Sequence, residues 1–235
     1  MNIIITGASR GIGYEVAKIF AAKGDNHIVA IARNEQKLQA LKKACLTMNG
    51  KVNIYPITFD LENIDLMKDK LLTDIQKNIG SIDIIINNAG LLINKPFEKL
   101  TIAEISRMVQ LNLTAPALFI QTLIPLMNKP GHIVNISSMG GFQGSQKFPG
   151  LTIYSATKAG LASLTECLAE EYKNSGLKFN CLALGSTDTE MLREAFPGYQ
   201  ASFTASEMAE FIVDFAVNKH KFFSGKIIPV SVTTP

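Results

Sequence analysis

Two residues set one helical turn apart open the chemical reading of this chain. Tyr154 and Lys158 stand at i and i+4 in Tyr154-Ser155-Ala156-Thr157-Lys158, so in a helix they share one face. An ammonium beside a phenol favours the phenolate and pulls its pKa down from about 10. A tyrosine tuned this way can give a proton to a carbonyl oxygen or take one from an alcohol. The pair alone is a common surface pattern, and a second group strengthens it. Ile133-Val134-Asn135-Ile136-Ser137-Ser138 reads as a strand running into a loop. Ser138 falls at its C-terminal end, where ligands gather in open α/β sheets. A hydroxyl there can hold a reacting oxygen.

A phosphate-binding signal lies far upstream. Thr6-Gly7-Ala8-Ser9-Arg10-Gly11-Ile12-Gly13 leaves an apolar run and opens a segment of helical period. Gly7 can make the sharp turn, Gly11 can let backbone approach a pyrophosphate, and Gly13 can permit tight helix–strand packing. The helix N-terminus would offer its unpaired N–H groups to the phosphates. No Gly-Lys-Ser/Thr follows, which excludes a kinase-type phosphate loop. A cofactor without a 2′-phosphate usually meets an acid at the end of the second strand. Here that run ends Ile31-Ala32-Arg33, with no acid before Glu35. Arg10 and Arg33 can instead bond a 2′-phosphate, each contact worth about 1.5–3 kcal/mol. The pattern predicts NADP(H) as cofactor.

The elements that must position these groups show as an alternation. Short, β-branched apolar runs cover residues 2–6, 27–32, 52–58, 82–86, 132–137, 178–184 and 226–232. Their near-continuous hydrophobicity fits strands covered on both faces. Helical patterns cover residues 11–23, 34–48, 62–79, 102–127, 152–174 and 205–218, with stops at Gly24, Gly80 and Gly176. Seven strands alternating with helices predict a doubly wound, seven-stranded parallel sheet with helices on both faces. A length of 235 residues suits one α/β domain, residues 1–235, with the cofactor half over about 1–130 and the catalytic half beyond.

Composition narrows the partners. A net charge of +3 with no Lys/Arg cluster points to neither nucleic acid nor a membrane surface. The N-terminus is apolar, but Gly7 and Arg10 interrupt it too soon for a secretory segment. No apolar run reaches the ~20 residues that span a bilayer. Cys45, Cys167 and Cys181 are too far apart for a disulfide framework or a metal site and read as core thiols in a reducing, cytoplasmic setting. His27, His132 and His220 read as structural or solvated, and no metal is expected.

Together these pieces closely resemble the short-chain dehydrogenase/reductase family, in its compact single-domain branch with a Rossmann-type fold. The resemblance runs over nearly the whole chain. It includes the glycine loop, Asn87-Asn88-Ala89-Gly90, Asn112 within Leu111-Asn112-Leu113, Ser138, Tyr154 and Lys158, all in the family's order. It implies an oxidoreductase that moves a hydride between the nicotinamide and a carbonyl or secondary alcohol. Tyr154 would be the general acid/base, and Lys158 would also bond the nicotinamide ribose. Ser138 would orient the carbonyl, and Asn112 would anchor a water-linked proton relay. Asp60 and Leu61 would hold the adenine, and Asn88, Ala89 and Gly90 would lie along the cofactor. Gly7, Ser9, Arg10, Gly11, Ile12, Gly13 and Arg33 complete the expected cofactor site. Asp60 in that place could equally cap a helix, and Asn112 could be an ordinary helix residue.

One departure matters. The family's usual Pro-Gly after the sixth strand is Leu184-Gly185 here, followed by Ser186-Thr187-Asp188-Thr189. Thr187 and Thr189 remain expected cofactor contacts, on a less rigid loop. Leu92, Ile93, Met139, Phe142, Phe148, Met191, Leu192, Phe196, Tyr199 and Phe203 predict a largely apolar substrate pocket, with Lys147 or Arg193 able to meet an acidic tail. The long helices at 102–127 and 152–174 predict a homodimer or homotetramer. Two other functions compete. A non-catalytic NADP(H)-binding regulator needs only the glycine loop and the basic residues. A nucleotide-sugar epimerase or dehydratase needs a larger C-terminal region than the about 50 residues after Gly185.

Overall fold

Runs of Ile, Val and Ala form the centre of the computed structural model, which describes residues 1–232. The expected domain extends to residue 235, and residues 233–235 lie outside that description. Strands β1 (Asn2–Thr6), β2 (His27–Ala32), β3 (Asn53–Thr58), β4 (Ile82–Asn87), β5 (Met127–Ser138) and β6 (Leu177–Leu184) follow in order. A separate short pair, β7 (Thr187–Asp188) and β8 (Phe203–Thr204), precedes the edge strand β9 (Lys226–Val230). The seven long strands form one parallel sheet in the order β3-β2-β1-β4-β5-β6-β9. Strand order reverses between β1 and β4, so their C-terminal ends flank the crevice where open α/β sheets bind ligands.

Both faces of the sheet are covered because adjacent side chains on a strand point to opposite sides. Ile3 and Ile5 of β1 pack with α1 (Gly11–Ala22) and α2 (Glu35–Met48) through Val16, Phe20 and Leu38. Ile4 packs on the other face with Phe119, Ile120 and Leu123. All are fully buried or nearly so, and each large side chain contributes about 1.5–3 kcal/mol by leaving water.

The expected helix at 62–79 is broken. It becomes a 3-10 turn at Ile64–Leu66, a wider turn at Met67–Leu71 and α3 (Leu72–Gln76). The expected helix at 102–127 is α4 (Ile102–Val109), a π-turn at Gln110–Thr114 and α5 (Ala115–Leu123), closed by a 3-10 turn at Ile124–Leu126. Ile102–Leu126 is in fact long and apolar enough to cross a membrane by length and composition, which the expectation of no such run missed. Its Leu111, Ala115 and Phe119 side is buried in the sheet's core. Helices α6 (Thr152–Glu171), α7 (Glu190–Ala195) and α8 (Ala205–Asp214) complete the chain. Short α7 and the β7–β8 pair were not legible as elements.

Gly24 takes positive φ (87°) just past the end of α1, as expected; Gly176 also has positive φ (84°), but α6 already ends at Glu171 and Gly176 instead makes the turn into β6. Gly80 does not take positive φ, because the chain has already left the helix at Lys77–Ile79 through ordinary turns. Cys45 and Cys181 are buried, but Cys167 is exposed on the outer side of α6, against the expectation of three core thiols.

Candidate active site

The last residues of β5 and the first turns of α6 build the chemical end of one cavity of about 880 Å3. Ser137 faces the helix, its hydroxyl donating to the Lys158 carbonyl at 2.8 Å. Ser138, one pleat later, lines the cavity with Tyr154 and Lys158, as Ser137 also does, but the Ser137 hydroxyl is engaged by the helix backbone. Its hydroxyl accepts from Gly140 N–H at 3.2 Å, starting the turn Met139–Gly141. That turn lies hard against α6. A Cβ on Gly141 would sit 2.6 Å from Ala159 N, so only glycine allows the approach.

Lys158 Nζ donates to the Ile136 carbonyl at 2.8 Å and stands 5.9 Å from the Tyr154 ring centre. Both side chains are buried. Burial pushes the Tyr154 phenol up to about 12, opposed only by the Ser138 hydroxyl. Burial likewise brings the Lys158 ammonium down to about 8, opposed by Cys181. The expected lowering of the phenol by Lys158 is therefore not found in this structure. A low-dielectric interior penalises phenolate and ammonium alike, and at Tyr154, Lys158 does not offset that penalty. Burial thus favours the protonated phenol.

Asn112 sits in the π-turn between α4 and α5, fully buried. Its Oδ1 accepts from Leu91 N–H at 2.7 Å, and its Nδ2 donates to the Leu91 carbonyl at 2.9 Å and to Thr157 Oγ1 at 3.1 Å. Thr157 in turn donates to the Tyr154 carbonyl. Asn112 thus ties the loop after β4 to α6. A Cβ on Gly90 would lie 3.3 Å from both Asn112 Oδ1 and Lys158 Nζ. Single π-turns within helices frequently mark functional sites.

At the other end, the glycine loop leaves β1. Gly7 and Gly11 have φ of 69° and 57°. A Cβ on Gly13 would fall 2.6 Å from the Gly7 carbonyl, so the helix can sit this close only with glycine. Thr6 Oγ1 accepts from Asn88 and Ala89 N–H, both at 3.0 Å. The Asn88 amide donates to the Thr6 and Gly7 carbonyls at 3.0 and 3.3 Å. Asn88 lines the cavity, and its amide also braces the glycine loop. Arg10 is the N-cap of α1 and makes no side-chain cap bond. The first N–H groups of α1 therefore lack a side-chain partner there, a donor set suited to phosphate. Ser9, Ile12 and Gly90 line the same space. The residues present fit a dinucleotide.

The two arginines do not stand free, as the sequence suggested. Arg10 Nη1 pairs with Glu194 Oε1 at 2.8 Å. Arg33 lies 3.4 Å from Glu62 and 3.8 Å from Asp60, while Glu62 is held more closely by Arg107 at 2.9 Å. Asp60 both lines the cavity and accepts from Glu62 N–H at 3.0 Å, so it is also a turn-former, and Leu61 is buried beside it. Asn34 and Lys37 of the α2 start join this end of the cavity, a position that sequence reasoning missed.

Past β6, Leu184 is paired in the sheet with Ser138 and Val230, and Gly185 N–H donates to the Val230 carbonyl at 2.9 Å. These bonds join the base of the loop to β9. Thr187 donates to the Gly185 carbonyl at 3.3 Å, and Thr189 caps α7 by accepting from Leu192 N–H. The cavity is walled by Leu92, Met139, Phe148, Met191, Leu192, Phe196 and Tyr199, with Gln146 and Leu151 added. Ile93, Phe142 and Phe203 do not line it, and Phe203 packs on the core instead. Lys147 is held by the Phe142 carbonyl and Ser145, and Arg193 by Asp188.

A buried chain of amides also escaped the sequence reading. Asn87 donates to Asn135 Oδ1 and Asn135 to Thr165 Oγ1, both at 2.9 Å, bolting β4, β5 and α6 together under the site. An asparagine inside an otherwise apolar strand was the available signal. His132 is structural, as expected, between the Ala216 carbonyl and Asn180.

A family model described as short chain dehydrogenase matches residues 1–200. This chain belongs to that family. Relatives of the short-chain dehydrogenase include an uncharacterised oxidoreductase of Bacillus subtilis, 34% identical over 81% of this chain and 72% of its own length. Another is the 3-oxoacyl-acyl-carrier-protein reductase FabG of Chlamydia muridarum, 30% identical over 97% of this chain and 94% of its own. Among solved structures, levodione reductase superposes with a TM-score of 0.87 at 23% identity, over 98% of this chain and 95% of that one. A short-chain dehydrogenase from Burkholderia cenocepacia, in complex with NADP, gives 0.85 at 23% identity over 97% and 95%. These share the fold. The protein is an oxidoreductase of the family that takes a nicotinamide cofactor and a small-molecule substrate.

Proposed function

We propose that this short-chain dehydrogenase interconverts a carbonyl and a secondary alcohol on a small, largely apolar substrate with NADP(H), using Tyr154 as acid/base. The observation that carries the reading is the single cavity that joins Tyr154, Ser138 and Lys158 at one end to the glycine loop, Arg10 and Arg33 at the other. When bound, the nicotinamide supplies or accepts the hydride. Ser138 holds the substrate oxygen, and the neutral Tyr154 phenol gives it a proton during reduction. Lys158 bonds the ribose end of the cofactor, and Asn112 anchors the relay that reprotonates the tyrosine. The α1 N-terminus with Gly7, Ser9, Gly11, Ile12 and Gly13 takes the pyrophosphate. Asp60 and Leu61 flank the adenine; Asn88, Ala89, Gly90, Gly185, Thr187 and Thr189 shape the remaining walls. Arg33 and Arg10 receive the 2′-phosphate.

The unpaired thiols fit a reducing compartment such as the cytoplasm. Phe97, Val109 and the 85%-exposed Ile102 leave apolar area about α4 for a second copy. The test is consumption of NADPH and of NADH against a panel of ketones and a 3-oxoacyl thioester. Turnover with NADPH on a neutral ketone is the expected outcome. Tight NADPH binding without turnover across the panel would favour a regulator on the same fold.

A further inference from the structure

Helix α7 carries a carboxylate to the arginine assigned to the cofactor phosphate. Arg10 belongs to the glycine loop and Glu194 to α7, on opposite sides of the cavity, yet Nη1 and Oε1 meet at 2.8 Å. The same helix roofs the phosphate loop at its other end. Thr189 Cγ2 and Glu190 Oε2 lie 3.3 and 3.7 Å from where a Cβ on Gly11 would be. The far end of α7 is tied down by Asn94, whose amide donates to the Ala195 carbonyl at 2.8 Å. Arg193 is already paired with Asp188 and does not compete for Glu194.

The Arg10–Glu194 pair is weak enough to exchange. Its side chains are 38% and 66% exposed, and exposed ion pairs contribute little to stability. A phosphate is the stronger partner for a guanidinium, through charge-assisted bonds. Arg33 differs, since its carboxylate neighbours are more distant and Glu62 is shared with Arg107. Arg33 is therefore open to a ligand, whereas Arg10 must first let go of α7.

We propose that Glu194 is a specificity-determining residue for the cofactor: its carboxylate competes with the 2′-phosphate of NADP(H) for the Arg10 guanidinium. The proposal rests on the NADP(H) reading above. Glu194 lowers NADPH affinity both by occupying the cation and by its own negative charge near the phosphate. NADH, which brings a hydroxyl to that place, leaves the pair intact.

Nicotinamide fluorescence titration of wild type, Glu194→Gln, Arg10→Gln and the double variant with NADPH and NADH tests this. Glu194→Gln should tighten NADPH by about two- to five-fold, the scale of one exposed ion pair, and leave NADH unchanged. The gain should vanish in the Arg10→Gln background, as a coupled pair requires. Equal tightening of both cofactors would put Arg10 on the shared pyrophosphate and overturn the proposal. So would a gain that survives Arg10→Gln, which would reflect overall charge, or a loss of NADPH affinity. A wild-type preference for NADPH with no effect of Glu194→Gln sinks this inference alone. No wild-type preference sinks the NADP(H) reading.

Discussion

The two ends of the cavity are built on opposite principles. At the chemical end, Tyr154, Lys158 and Asn112 are buried, and Lys158 and Asn112 are held by hydrogen bonds between 2.7 and 3.1 Å to β5, α6 and the loop after β4. At the phosphate end, Arg10 and Arg33 are exposed and shared among carboxylates. Burial dominates the first: it moves the tyrosine to about 12 and the lysine to about 8. Water screens the second, where cations exchange partners at small cost. The proposed chemistry thus sits on a fixed, buried frame, while the proposed cofactor choice would rest on exposed side chains that can be swapped without disturbing the core.

That contrast predicts a gradient of effects. Tyr154→Phe keeps the buried ring and removes the proton, so kcat should fall by about 10²–10⁴-fold with NADPH affinity nearly unchanged. Paired turnover and fluorescence titration measure this. Retention of more than about a tenth of the rate would show that another group moves the proton.

Lys158→Met should come next, weakening NADPH by about ten- to a hundred-fold, the value of a hydrogen bond to a charged group. Its pH dependence sharpens the comparison. The charged lysine is the binding form, and it is lost as pH rises through about 8. NADPH affinity should therefore decline above that pH in the wild type and lose this step in the variant. A wild-type affinity flat from neutral to alkaline pH would mean that Lys158 does not touch the cofactor.

Arg33→Asp acts at the exposed end and should shift the NADPH/NADH ratio of kcat/KM by at least about ten-fold toward NADH, since a carboxylate accepts from ribose hydroxyls and repels phosphate. Melting temperature should be unchanged, because only long, exposed ion pairs are lost. Smallest is the salt effect, a weakening of NADPH more than NADH as ionic strength rises. A salt response equal for both would place the exposed arginines on groups common to the two cofactors.

Much of this was legible in order and period. The seven strands lie where the apolar runs lie because parallel strands buried on both faces must be apolar throughout. Gly13 was readable as a packing glycine because the close approach to Gly7 tolerates no Cβ. Less legible were features set by partners distant in sequence. The Asn88 amide braces Thr6 and Gly7, and Arg10 meets Glu194 across the cleft. Phe203 left the pocket for the core because β8 pairs with β7 and turns it inward.

The sequence by itself determined the sheet, the crevice at the β1–β4 reversal, the membership of the glycine loop and the tyrosine–lysine pair. These depend on local pattern, which hydrophobic burial and turn geometry translate directly into structure. Only the tertiary structure decided the direction in which the Tyr154 phenol is shifted, the Ser137 bond to the α6 backbone and the partners of the two arginines. Each of those depends on what surrounds a side chain in space, and charge, solvent exclusion and hydrogen-bond geometry follow distance through the fold rather than spacing along the chain.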